Sequence, residues 1–539
     1  MTSTIPLPLI GERPSRPVAN EISDRLSEEL VIALVGPIAS GVSTAARYIR
    51  AILQNDFGYD VPNPIKLSDI IRREAHRVGQ SPTPDAALGN RISKLQDAGN
   101  SLRDKFGEDY LAEKAIEQIF TYRRTHGGLQ EGTMIPIPGK RAYIIDSLKH
   151  RGELDLLRSI YKDTLLLFGV FAPDAVRRQR LIDNGTEAAQ ADTVLNRDQG
   201  EIETFGQMTR KIFEESDFFL CNDRKEHDLR SQIDRYLGLL FDSRIHTPTR
   251  AESAMYEASA VAVKSACMSR QVGAAIVSNA GELIAVGWND VPKFGGGLYE
   301  EDDQSVIIGD KVQDLDKRCF RYGQRICHNE TRRNDLINTI VMRLVDSKKL
   351  KKGTGRNDLL DALKGTDIDA IIEYSRSIHA EMEAILSVAR EGRHSLVGAT
   401  LYTTTYPCHN CARHIVASGI KEVIYIEPYK KSLAIALHGD AITEDWHDKS
   451  KVLFRQYDGV SPRIYLKLFR VTASRKANGR LLPRDPKSAK PRFRFLLDGF
   501  VEYESKVIAD LNAKEQSESG DSGGSLLAGE RSDEKRPQS

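Results

Sequence analysis

Two short stretches constrain this chain more than anything else in it: SIHAEMEAIL at 377–386 and TTTYPCHNCARHIV at 403–416. They offer one imidazole, His379, and two thiols three residues apart, Cys408 and Cys411. Residues three apart on a helical turn share a face, so both sulfurs can reach one ion. Pro407 suits the first helical position, where a missing N–H costs little. The positive end of a helix also favours thiolates. A fold that honours this pattern must bring two segments some twenty-odd residues apart onto one point. One nitrogen and two sulfurs suit Zn²⁺. Three protein ligands leave a tetrahedral ion one open position, which marks a catalytic rather than a structural site.

Glu381 follows His379 by two residues and is the expected general acid/base, since one carboxylate can shuttle several protons in a water-poor pocket. H-x-E followed by P-C-x-x-C is the pattern of zinc-dependent deaminases, in which bound zinc acidifies a water to a pKa of about 7. The expected reaction replaces the C4 amine of cytosine by oxygen, giving uracil. The competing reading is a closed zinc knuckle with a fourth ligand from His409, Cys319, Cys327 or His328, in which the glutamate would have no purpose. Cys319, Cys327 and His328 could also hold a second metal, or simply be packing residues.

A second motif lies far upstream. VGPIASGVST (35–44) keeps the frame of a phosphate loop, G-x-x-x-x-G-K-[ST], but Val42 replaces the lysine. The apolar run LVIALVG before it and the helical pattern STAARYIRAIL after it give the strand–loop–helix setting such a loop requires. Gly36 and Gly41 let backbone N–H groups approach a phosphate, and Ser43 or Thr44 can meet Mg²⁺. Asp146 ends the apolar run AYIIDS near where that ion would sit; a turn or cap aspartate is the other reading. Loss of the lysine should hurt phosphoryl transfer more than binding, because transfer depends on cations that neutralise developing charge. Arg72, Arg177, Arg178 or Arg197 could substitute. A regulatory nucleotide-binding domain is therefore expected rather than an active kinase.

The 539 residues are enough for several domains. Lysines and arginines number 77 against 76 acids, so overall charge gives no reason to expect nucleic acid as a partner. No apolar run approaches the ~20 residues needed to cross a bilayer, and no secretion signal is evident. Six cysteines in so long a chain do not make a disulfide scaffold, which fits a reducing cytoplasm. We expect an arm over 1–28 and a P-loop kinase-like domain over 29–241, with a parallel sheet covered by helices on both faces. An α/β/α zinc-dependent deaminase domain follows over 246–475, with a helical insertion at about 293–376. An extension over 476–511 and a disordered tail over 512–539 complete the expected division.

Residues about 247–470 resemble the deoxycytidylate deaminase family. The match is carried by SRQVGAAIV (269–277), VGWNDVP (286–292), IHAEMEAI (378–385), TTYPCHNCARHIV (404–416) and YDGVSPRIYLKLF (457–469). The wider layout resembles the bacterial anti-phage dCTP deaminases. The resemblance implies conversion of free dCTP, and also dCMP, to the deoxyuridine form, with dCTP depletion starving phage DNA synthesis. It implies that Asn289 meets the sugar and base of the substrate. It also implies a homo-oligomer, an effector nucleotide at the N-terminal domain and an inhibitory RNA as partners. The family usually reads H-A-E-x-N-A-I, whereas Glu383 stands here at the Asn position. DKRCFRYGQR (316–325) is basic and could grip a triphosphate; a solvated charge run is the other reading. The alternatives are a nucleotide kinase tethered to a deaminase and an editor of cytosine in single-stranded nucleic acid.

Overall fold

Strand Leu30–Val35 (β1) is buried along its whole length, as is Leu165–Phe171 (β4). Continuous burial is what a parallel sheet covered on both faces demands. The computed structural model describes residues 23–521, except 83–87, 200–208, 224–225, 304, 309–310, 348, 352, 365, 367, 369–370 and 430–431. The chain divides into two units, Met1–His246 with Val471–Ser539, and Thr247–Arg470.

The first unit contributes five parallel strands: β1, Ile65–Lys66 (β2), Ala142–Leu148 (β3), β4 and Phe218–Cys221 (β5). Their spatial order is β5-β4-β1-β3-β2, so β1 lies between β4 and β3. β1 opens into the glycine loop, and helix Val42–Asn55 leaves it, burying Ala45, Ala46, Ile49, Ile52 and Leu53. Gly41 caps that helix with φ 94°, a left-handed conformation natural to glycine. A Cβ on Gly36 would meet the carbonyl oxygen of Val170 at 2.3 Å, so the loop lies directly against β4.

The C-terminal residues correct two expectations. Val471 onward belongs to the first unit rather than forming a separate extension. Helix Leu497–Asp521 also runs into the stretch 512–539 expected to be disordered; 522–539 lie outside the described residues. The reason is packing. Leu497, Phe500, Val501 and Leu511 are buried, and Glu504, fully buried, pairs with Arg123. Arg123 also holds Glu29 at 2.8 Å, while the Tyr161 hydroxyl donates to Glu504 at 2.8 Å. Composition alone could not reveal this long-range ionic seam. Most of the expected arm, residues 1–22, lies outside the described residues.

The second unit centres on a mixed sheet. Gly273–Val277 (β6) and Leu283–Trp288 (β7) form an antiparallel hairpin. Within the insertion, Ser305–Ile308 (β8) and Lys311–Asp314 (β9) pair separately. Thr400–Thr405 (β10), Glu422–Glu427 (β11), Ile442–Thr443 (β12) and Val452–Gln456 (β13) complete the main sheet, in the order β12-β13-β11-β10-β6-β7. β10 runs parallel to β11 and antiparallel to β6. Two glycines let helices press onto this sheet. A Cβ on Gly273 would meet the Ala258 carbonyl at 1.9 Å, which seats helix Arg250–Ala262. A Cβ on Gly287 would meet the Ala380 carbonyl at 2.4 Å, which seats helix Ala380–Glu391. Among the described residues, no helix is long and apolar enough to cross a membrane.

Candidate active site

Two helices start at one place. His379 caps helix Ala380–Glu391, and Cys408 caps helix His409–Ala417, both with extended backbone. Pro407 therefore precedes the cap rather than taking the first helical position. Cys411 sits one turn in and is fully buried. The His379 Nδ1 lies 3.3 Å from the Cys408 Sγ and 3.3 Å from the Cys411 Sγ. All three candidate ligand atoms fall within 4.8 Å of one another. A tetrahedral zinc with bonds of about 2.1 and 2.3 Å separates nitrogen and sulfur ligands by roughly 3.6 Å, so the donor set fits this ion.

Among the described residues, no further histidine, cysteine or acid joins this ligand group. His409, one of the candidates for a fourth ligand, faces Glu373 with its Nε2 3.6 Å from the carboxylate. Cys319, Cys327 and His328 line the adjacent cavity but do not gather into a ligand set. The closed-knuckle arrangement is thus absent among the described residues.

The electrostatics suit a cation. A hydrogen bond from Cys411, together with His379, pulls the Cys408 thiol down to about 4. The same contact and burial push the Cys411 thiol up. The hydrogen bond to Cys408 raises His379 to about 9 against the opposing effect of burial. Glu381 is 4% exposed, and its Oε2 accepts from the Cys411 Sγ at 3.5 Å. Burial, reinforced by the Cys408 charge, pushes its carboxyl up to about 7. A carboxyl poised there can take up and release protons near neutral pH.

These groups open onto a cavity of about 250 Å³. Asn289 lines it, yet its side chain is committed to the backbone: Oδ1 accepts from Val272 N at 2.7 Å and Nδ2 donates to Arg270 O at 2.8 Å. It thereby fixes the loop that forms one wall. Glu383 does not line the cavity; it is buried and paired with Arg390 at 2.9 Å. The basic stretch 316–325, open to a triphosphate grip or a solvated charge run, lies almost wholly outside the cavity. Arg318 and Arg321 both turn to Asp316, and only Cys319 of that stretch reaches the cavity. Arg376, which no sequence pattern singled out, lines it instead.

The profile of the cytidine and deoxycytidylate deaminase zinc-binding region matches residues 248–427. A deoxycytidylate deaminase of Mycobacterium phage D29 is 32% identical over 108 residues, covering 17% of this chain and 82% of the relative. The chain belongs to the cytidine and deoxycytidylate deaminase family. The deoxycytidylate deaminase of Enterobacteria phage T4 is 28% identical over 193 residues, 34% of this chain and 80% of that protein. The dCMP deaminase of cyanophage S-TIM5, solved with dCMP and dUMP, aligns with 40% of this chain and 100% of its own at 19% identity and a TM-score of 0.22. The deaminase-family match lies within the second unit, and the glycine loop lies outside it.

In the first unit, the loop residues meet as follows. The Ser43 hydroxyl donates to Asp146 Oδ2 at 2.6 Å, and Asp146 is 2% exposed. Thr44 uses its backbone N–H to close the first turn on Gly41. Arg177 and Arg180 donate to the Ile38 and Ala39 carbonyls, bracing the loop from outside. Arg72, Arg178 and Arg197 are paired with Asp69, Asp192 and Asp97. A residue missed in the sequence reaches the loop: the Lys149 Nζ donates to the Gly36 carbonyl at 3.0 Å. Its signal was faint, a lysine three residues beyond the strand-end aspartate.

Proposed function

We propose that this chain is a zinc-dependent deaminase of free cytosine deoxynucleotides, converting dCTP, and also dCMP, to the deoxyuridine nucleotide and ammonia. The supporting observation is the open three-ligand set of His379, Cys408 and Cys411 with buried Glu381 beside it. Zinc held there supplies Lewis acidity and an activated water. Glu381 would accept one proton from the attacking water and pass it to the ring nitrogen, then take the second from the hydroxyl added at C4 and pass it to the departing amine, which leaves as ammonia. Its burial excludes bulk water from that relay. Asn289 keeps loop 270–272 in place at the cavity wall. Net stoichiometry is nucleotide plus water to deaminated nucleotide plus ammonia.

The first unit supports a second, regulatory role. The Ser43–Asp146 contact is the arrangement a loop hydroxyl and a strand-end acid adopt around Mg²⁺ and nucleotide phosphates. We assign the loop an effector nucleotide, with dCTP depletion against phage as the biological output. Incubation of the zinc-loaded chain with dCTP, dCMP, CTP and cytosine-containing single-stranded DNA tests this reading. Deamination of the deoxynucleotides, lost in Glu381→Ala, is expected. Deamination of the DNA alone would make the nucleotide assignment wrong.

A further inference from the structure

The glycine loop lacks its own lysine, yet the fold brings a lysine to it from another strand. Val42, at the motif's lysine position, is 7% exposed and packs against the loop: a Cβ built on Gly36 would lie 2.8 Å from its Cγ2. The Lys149 ammonium meets the same glycine, donating to the Gly36 carbonyl at 3.0 Å. Strand register explains how. β3 runs parallel to β1 with Leu148 opposite Val35, so Lys149 and Gly36 leave the sheet side by side. The Lys149 backbone is fixed there, its N–H donating to Glu153 at 2.9 Å. Glu153 is itself fully buried and paired with Arg103 at 2.8 Å. A fixed backbone thus carries a compact charge on a flexible four-carbon stem.

The loop around that charge is built for an anion. Helix Val42–Asn55 is 14 residues long and has no side-chain cap at Gly41, so its first N–H groups can serve an anion. Ser40 is completely buried, and its Oγ lies 2.7 Å from a Cβ built on Gly36, turned into the loop. That hydroxyl has no hydrogen-bond partner. A buried polar group left unpaired is costly, and a ligand oxygen in the loop supplies the missing partner. The Gly36 carbonyl is a neutral acceptor. A phosphate oxygen is charged, and an ammonium bonds it about twice as strongly.

We propose that Lys149 replaces the missing loop lysine, its ammonium passing from the Gly36 carbonyl to the phosphate chain of a nucleoside triphosphate. This inference rests on the effector-nucleotide reading of the loop and names its ligand class and its cation. It also accounts for Val42: with the charge supplied from the end of β3, position 42 is released to pack.

Calorimetric titration of the full zinc-loaded chain with Mg-ATP and with tripolyphosphate tests it. The proteins compared are wild type, Lys149→Met, Lys149→Arg, and Lys149→Met combined with Val42→Lys. Loss of one charged hydrogen bond corresponds to about 10–150-fold in affinity. Lys149→Met should therefore weaken both ligands at least about 10-fold, and Lys149→Arg should recover part of the loss. Val42→Lys should recover it from the motif's own position, which separates a lost charge from a damaged fold. Equal binding by wild type and Lys149→Met would overturn the assignment. So would a loss that neither Lys149→Arg nor Val42→Lys recovers. Wild-type chain that binds neither ligand would instead defeat the effector reading, and this inference with it.

Discussion

At the residue scale, the proposed chemistry converges on Glu381 and the three candidate ligand side chains. Glu381→Gln keeps the shape and removes the proton relay. It should lower kcat about 10²–10⁴-fold while zinc content, measured by metal analysis, stays at wild-type level. Cys411→Ser should do the reverse first: metal content falls, and activity falls with it, because a fully buried sulfur of the set is lost. If Cys411→Ser kept full zinc occupancy, the ligand assignment would be wrong. These four residues were legible in the sequence because ligand spacing and the H-x-E register are local patterns. Arg376 was not legible. A single arginine three residues before His379 has no pattern; only the fold brings it to the cavity wall. Asn289 was legible as a cavity residue but not as a backbone lock, which depends on the Arg270 and Val272 backbone reaching it.

At the element scale, the site depends on how closely one helix sits on the sheet. Gly287→Ala would drive a methyl against the Ala380 carbonyl and the Ala384 N–H, both backbone atoms of the helix that begins beside His379. Displacements of about 1 Å at a reacting centre cost on the order of 10²-fold, so kcat should fall at least about 10-fold. A Gly287→Ala enzyme with wild-type kcat would show that the helix position is not critical. The strands and helices of both units were largely readable from apolar runs and their periods. The C-terminal helix was not, because its hold is the buried Arg123–Glu29–Glu504 seam between residues hundreds of positions apart. Breaking a buried pair typically costs about 3–5 kcal/mol, so Glu504→Ala should shift the denaturant midpoint of the full chain well downward. An unchanged midpoint would mean that the seam is dispensable.

At the scale of the whole chain, the deaminase-family match and the glycine loop lie in different units. The glycine loop kept its frame, and Val42 was legible as the residue standing where the motif's lysine is missing. Lys149 at the Gly36 carbonyl was not, since β3 and β1 must first pair to bring it there. If Lys149 supplies the absent charge, Lys149→Met should weaken ATP binding about 10-fold or more, and Val42→Lys in that background should restore it. Equal ATP binding by wild type and Lys149→Met would remove that role. Neither change should abolish deamination measured without ATP. The central claim, that an open zinc site with Glu381 deaminates a free cytosine deoxynucleotide, is tested most directly by ammonia release from dCTP. Wild-type chain and Glu381→Gln should be compared at equal zinc content. Stoichiometric ammonia and deoxyuridine nucleotide from the wild type, with a drop of about 10²-fold or more in the variant, is the result predicted. Equal rates in the two proteins, or no ammonia from dCTP or dCMP at full zinc content, would contradict it.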